Sequence, residues 1–194
     1  MPGAAAWTVL EAAVVRVGPV MSAQDVASTI RGYAMLGRVP GVEAWGTLEA
    51  AAARVAPRMN AQEVSNTLWS VLLFAATRGV PLTACYPALW RAVRGVDVAS
   101  FKDVDLSNVF HAHLMHTELV SGDVLDDVTF PPWIMHKARE AWMSNAQNDV
   151  TVSRSHKEVA SIIGELGVTH EVEHLTDDGY FSAGAYTRPL FSST

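Results

Sequence analysis

The feature that most constrains this chain is that it repeats itself. Residues Trp7 to Arg31 lie over Trp45 to Trp69 without a gap at an offset of 38, and 13 of the 25 aligned positions are identical. The shared positions include Trp7 and Trp45, Leu10 and Leu48, Arg16 and Arg54, Pro19 and Pro57, Gln24 and Gln62, and Thr29 and Thr67. A more divergent third copy follows at an offset of 42. It places Phe101 under Met59, Leu106 under Val64, Asn108 under Asn66 and Phe110 under Leu68, and the four extra residues fit the loop around Gly79-Val80-Pro81. A period of ~20–50 residues marks stacked repeats, because a single unit cannot bury its apolar face and needs a neighbour to cover it.

Each copy reads as two helices. Trp7, Leu10, Val14 and Val17 recur at helical spacing, as do Trp45, Leu48, Ala52 and Val55. Pro19 and Pro57 are expected to stop these first helices, since proline lacks the N–H that the helix needs. Ser22 with Asp25, and Asn60 with Glu63, have the spacing of a capping box that opens a second helix. Val26, Thr29, Ile30 and Tyr33 then form its apolar stripe, matched by Val64, Thr67, Leu68 and Val71. Gly37 and Gly79 suit helix C-termini.

The pattern changes after about Ser121. Asp123 to Thr129 is an acidic connector. Pro131-Pro132-Trp133 opens a helix to about Ala146, followed by a polar linker from Asn145 to Val152. Ser155 to Leu166 has one apolar face and reads as a helix. Val168 to Leu175 alternates like a strand, Asp178-Gly179 is a hairpin turn signal, and Tyr180 to Tyr186 would return. Three parts follow: a repeat array over 1–120, a connector with one helix over 121–152, and an α–β–β segment over 153–194.

Net charge is −6 over 194 residues, but it is unevenly spread. Residues 1–100 hold eight Arg and no Lys against six acids, a net of +2; residues 101–194 hold six basic residues against fourteen acids, a net of −8. A polyanion would meet the first half. No run of apolar residues is long enough for a membrane span, so no membrane insertion is expected. The one cysteine, Cys85, cannot pair within the chain and suits a reducing compartment. No cofactor is implied. His111, His113 and His116 invite a metal, yet only His113 and His116 share a helix side, and no cysteine completes four ligands.

The helical pair containing Met59-Asn60-Ala61-Gln62-Glu63-Val64-Ser65-Asn66-Thr67-Leu68-Trp69 resembles the octotricopeptide-repeat proteins of algal and plant organelles. Pro132, Ala138-Arg139-Glu140-Ala141-Trp142, Ser155, Val159, Leu166-Gly167, His170-Glu171-Val172-Glu173 and Asp178-Gly179 resemble the start of a RAP domain, which ends many such proteins and the FAST kinase-like mitochondrial proteins. The resemblance covers roughly 7–119 and 130–186. It implies a mainly α chain: a right-handed solenoid of two-helix repeats of about 38 residues with a small, truncated α/β piece at the C-terminal end. It also implies binding of single-stranded RNA in a chloroplast stroma or mitochondrial matrix, for transcript stability, processing or translation, with other proteins of an RNA-processing complex as further partners. Ser182-Ala183-Gly184-Ala185-Tyr186 stands where the RAP pattern carries an aspartate, and the later acidic strand is missing. A metal-dependent nuclease needs clustered carboxylates, so the chain is expected not to be an enzyme. No transit peptide precedes the repeats, and the chain is expected to be a piece of a longer one.

Two roles are open to the polar residues of the second helices. Ser28, Asn66 and Asn108 share one register, with Gln24 and Gln62 a turn earlier. They can bond to base edges, one repeat to a base, or they can tie adjacent repeats together or face water. Arg16, Arg31, Arg54 and Arg58 can grip phosphates, or they can form a solvated face with intra-helix pairs. Trp7 and Trp45 sit on apolar stripes and are expected in the core. A scaffold that holds a protein in its groove is the alternative to RNA binding, and the acidic balance favours it.

Overall fold

A computed structural model describes residues 3–83, 85–119 and 132–148, and beyond them the pairs 170–171, 174–175, 181–182 and 185–186. The described residues are mainly helical. Two compact units are present, Met1–Asn145 and Ala146–Thr194.

The first unit holds α1 (Ala4–Val17), α2 (Ala23–Met35), α3 (Val42–Val55), α4 (Ala61–Arg78), α5 (Cys85–Gly95), α6 (Asp103–Leu119) and most of α7 (Pro132–Asn148). Pro19 and Pro57 end the preceding α-helices, as expected, but each sits in a short 3₁₀ turn, Gly18–Val20 and Ala56–Arg58. Their missing N–H falls where a new turn has no partner for it.

Both capping boxes form. The Ser22 hydroxyl accepts from the Asp25 N–H at 3.2 Å, while the Asp25 carboxylate accepts from the Ser22 N–H at 3.0 Å. Asn60 and Glu63 do the same at 2.9 and 2.8 Å. The third copy keeps half the device. Lys102 replaces the capping residue, yet Asp105 still reaches back to the Lys102 N–H at 3.1 Å. At the far end of α4, Gly79 takes φ 64°, a conformation that a side chain would oppose.

The helices pack as two rows. The first helices lie side by side in chain order, α1 against α3 and α3 against α5; the second helices do likewise, α2 against α4 and α4 against α6. The core runs between the rows. Val26, Ile30, Leu48, Val55, Val64, Leu68, Leu89, Trp90 and Val93 are completely enclosed. Trp7 and Trp45 are also buried; Trp7 lies on Tyr33 at 5.5 Å between ring centroids and Trp45 meets Phe74 edge-on at 5.3 Å. The first helices approach closely at Gly18, where a Cβ would collide with Thr47 Cγ2.

Helix α7, assigned from sequence to a connector, joins this core through Ile134 and Ala138, both buried, and Trp142 lies 4.7 Å from the His111 ring. The second unit is described at β1 (His170–Glu171), β2 (His174–Leu175), β3 (Phe181–Ser182) and β4 (Ala185–Tyr186). β1 pairs antiparallel with β4 and β2 with β3, in a single register centred on Asp178. The expected helix Ser155–Leu166, the acidic connector and the turn itself lie outside the described residues.

Candidate functional site

The row of second helices carries the polar residues that the repeat brings into register. Positions 28, 66 and 108 hold serine and two asparagines; one turn on, positions 31, 69 and 111 hold Arg31, Trp69 and His111. Because α2, α4 and α6 lie side by side, each set forms a rung that crosses three helices.

The Asn66 carboxamide is the hinge of the first rung. The Arg31 guanidinium donates to Asn66 Oδ1, and Asn108 Nδ2 donates to the same oxygen at 3.2 Å. A guanidinium has no acceptor, so the oxygen of Asn66 must face it. Among the described residues, that leaves Asn66 Nδ2 as an unused donor and Asn108 Oδ1 as an unused acceptor. Of the two roles open to Asn66 and Asn108, tying repeats together is therefore realised. The geometry leaves the other half of each amide free.

The second rung is aromatic. The Arg31 guanidinium lies over the Trp69 ring at 5.7 Å from its centroid. The Trp69 indole N–H donates to His111 Nδ1 at 3.1 Å. This bond requires a lone pair on Nδ1, so a neutral His111 carries its proton on Nε2. Burial pushes the His111 ring below its ordinary pKa, which favours that neutral form. This stack was legible only by carrying the offsets of 38 and 42 through position 31, which joins three residues of unlike chemistry.

Between α2 and α4 lies a polar cavity of ≈ 390 Å³, whose walls include Gln24, Ser28, Arg31, Gln62, Glu63 and Asn66. Five of the nine residues expected at the site thus converge, and Asn108 joins them through Asn66. In the third copy the position of Gln62 is taken by Val104, which is exposed, so this glutamine is not repeated there.

The other three arginines lie elsewhere. Arg54 donates to the carbonyls of Gly18 and Met21 at 3.1 and 2.9 Å, strapping the second copy to the 3₁₀ turn of the first. Arg16 and Arg58 are exposed and form no hydrogen bond or ion pair with described residues. Sequence reasoning passed over Arg38, which pairs with Glu11 at 3.0 Å and covers the Trp7 ring at 4.6 Å, and Arg78, which donates to the Gly37 carbonyl at 3.0 Å. It also passed over Asp105, buried beside Ser65.

Among the described residues no group of three or more histidine, cysteine or acidic side chains could hold a metal. His116 shares a hydrogen bond of 2.6 Å with the Tyr86 hydroxyl. Burial pushes the Cys85 thiol up to about 11, so it stays protonated and is a poor nucleophile. No described helix is long and apolar enough to cross a membrane.

No protein-family model, curated protein or solved structure matches this chain. The chemistry of the second-helix row is therefore what carries a functional assignment.

Proposed function

We propose that this chain is a right-handed helical-repeat solenoid that binds single-stranded RNA along its second helices. It acts without catalysis in the stability, processing or translation of an organellar transcript. The observation that carries this reading is the polar cavity between α2 and α4, where Gln24, Ser28, Arg31, Gln62 and Asn66 meet. Helical-repeat readers of single-stranded RNA use two or three side chains per repeat to hydrogen-bond unstacked bases, and the free halves of Asn66 and Asn108 are groups of that kind. Trp69 beneath Arg31 supplies a π-face, which suits any base. The setting in an organelle, the octotricopeptide-type repeat and the RAP-like C-terminal segment rest on the sequence resemblance.

The test is anisotropy of a fluorescent single-stranded RNA titrated with the full chain over a salt series. Binding that weakens as salt rises is expected, because phosphate contacts release counterions. No binding at low salt overturns the proposal.

A second reading, a scaffold for a protein partner, is favoured by one observation. An apolar groove of ≈ 340 Å³ opens on α1 and α2, lined by Trp7, Leu10, Val14, Val17 and Tyr33 among others. Capture of a protein through that groove, with no RNA shift, would support it.

A further inference from the structure

Resting on the RNA-binding reading, we propose that the cavity between α2 and α4 selects guanine.

Arg31 and Glu63 are the only charged side chains among the cavity walls named, one of each sign. Such a balanced site gives little net attraction to a phosphate, whereas a neutral base with donors and acceptors at its edges meets both signs. The volume of ≈ 390 Å³ lies in the range of small-molecule pockets, ~300–1,000 Å³.

Arg31 spends one N–H on Asn66 Oδ1 and keeps the rest of its fork. Asn66 Nδ2 is a further donor beside it, because the oxygen of that amide is doubly occupied by Arg31 and Asn108. The Arg31 side of the cavity therefore asks for an edge with adjacent acceptors. Guanine presents O6 and N7 together, the pair that a guanidinium fork meets in parallel. Adenine presents a donor, its N6 amine, next to N7. Glu63, with one oxygen held by the Asn60 N–H at 2.8 Å, keeps the other as an acceptor. The ring N–H and exocyclic amine of guanine are the complementary donors.

Cytosine also has adjacent acceptors, but they share a single edge with its one exocyclic amine, so a cytosine bonded to the Arg31 fork has no second edge of donors for Glu63. Guanine alone presents a pair of acceptors on one edge and a pair of donors, its ring N–H and exocyclic amine, on the next. The orientation of Arg31 is not left to chance, since Asn66 holds it from one side and Trp69 from below.

The experiment compares the full chain binding to four uridine-rich 12-mers that differ only in one central base: guanine, adenine, cytosine or uracil. A fifth oligomer carries 7-deazaguanine, which removes N7 alone. The guanine oligomer should bind about tenfold more tightly than the adenine one, and 7-deazaguanine should lose most of that advantage. In Arg31→Lys the guanine-to-adenine ratio should fall towards one, since an ammonium lacks the planar fork; circular dichroism checks that the variant is helical. Equal binding of all four oligomers, or a preference for another base, overturns the guanine proposal and leaves RNA binding standing. Full retention of the advantage by 7-deazaguanine overturns it as well. Failure of all five to bind at low salt overturns the RNA reading together with it.

Discussion

The first two copies of the repeat share half their residues over 25 positions, yet they live in different surroundings. Leu10 is 48% exposed, whereas Leu48, its counterpart, is fully buried. Arg16 projects from the surface, whereas Arg54 grips two carbonyls of the copy before it. Helix α3 has α1 on one side and α5 on the other; α1 has α3 alone among the first helices. Identical residues at identical helical phase thus differ by what stacks on them. The local features do not differ: both copies carry a complete capping box and a proline in a 3₁₀ turn. Stacking therefore decides burial, while the chain nearby decides where helices start and stop.

Leu48→Ala should cost ~2–5 kcal/mol in urea unfolding, because it opens a cavity in a closed core, whereas Leu10→Ala should cost less than ~1 kcal/mol. Equal costs would mean that Leu10 is covered in solution. Asn66→Ala should cost about 1–3 kcal/mol, since it strips a shared acceptor from Arg31 and Asn108. Its counterpart Ser28→Ala, on an exposed hydroxyl with no described bond, should lie within ~0.5 kcal/mol of the parent. Removing the caps, Ser22→Ala and Asn60→Ala, should cost about 1 kcal/mol each; a large inequality would show that stacking reaches even the local device. Arg54→Ala should lower stability by about 1 kcal/mol, with Arg16→Ala close to neutral.

The mildest effect expected is that of pH. Burial lowers the pKa of His111, His113 and His116 from 6.5, and His116 adds to the shift at His113. Below 6.5 the unfolded chain takes up protons that the folded one resists, so stability is complete above that value and declines as the pH falls towards the lowered folded values. Thermal melts on either side of 6.5 test this. His111→Phe, which cannot protonate, should flatten the decline.

The helices α1 to α4 were legible because each carries its own boundary signals and a period of apolar residues. The capping boxes and Gly79 are contacts between residues close in the chain. The offset of 42 also placed Asn108 in register with Asn66, which it meets across the helices; the contact of Trp69 with His111 follows the same offset but was not read from the sequence. What could not be read was the division of labour among the arginines. Arg31 turns into the polar cavity and Arg54 is spent as a strap between copies, although both recommended themselves as phosphate ligands. Helix α7 was legible as a helix but not as part of the core, because its apolar residues are spread around it: Ile134 and Ala138 are enclosed while Trp133 is exposed.

By itself the sequence determined the two-helix unit and its repetition, since caps, prolines and apolar period act over a few residues and need no distant partner. Tertiary structure alone decided which copy of a leucine is dry, which arginine is free, and which half of the Asn66 amide faces the cavity. Those outcomes depend on neighbours 30 or more positions away, and a hydrogen-bonding group has no fixed role until its partner is in place.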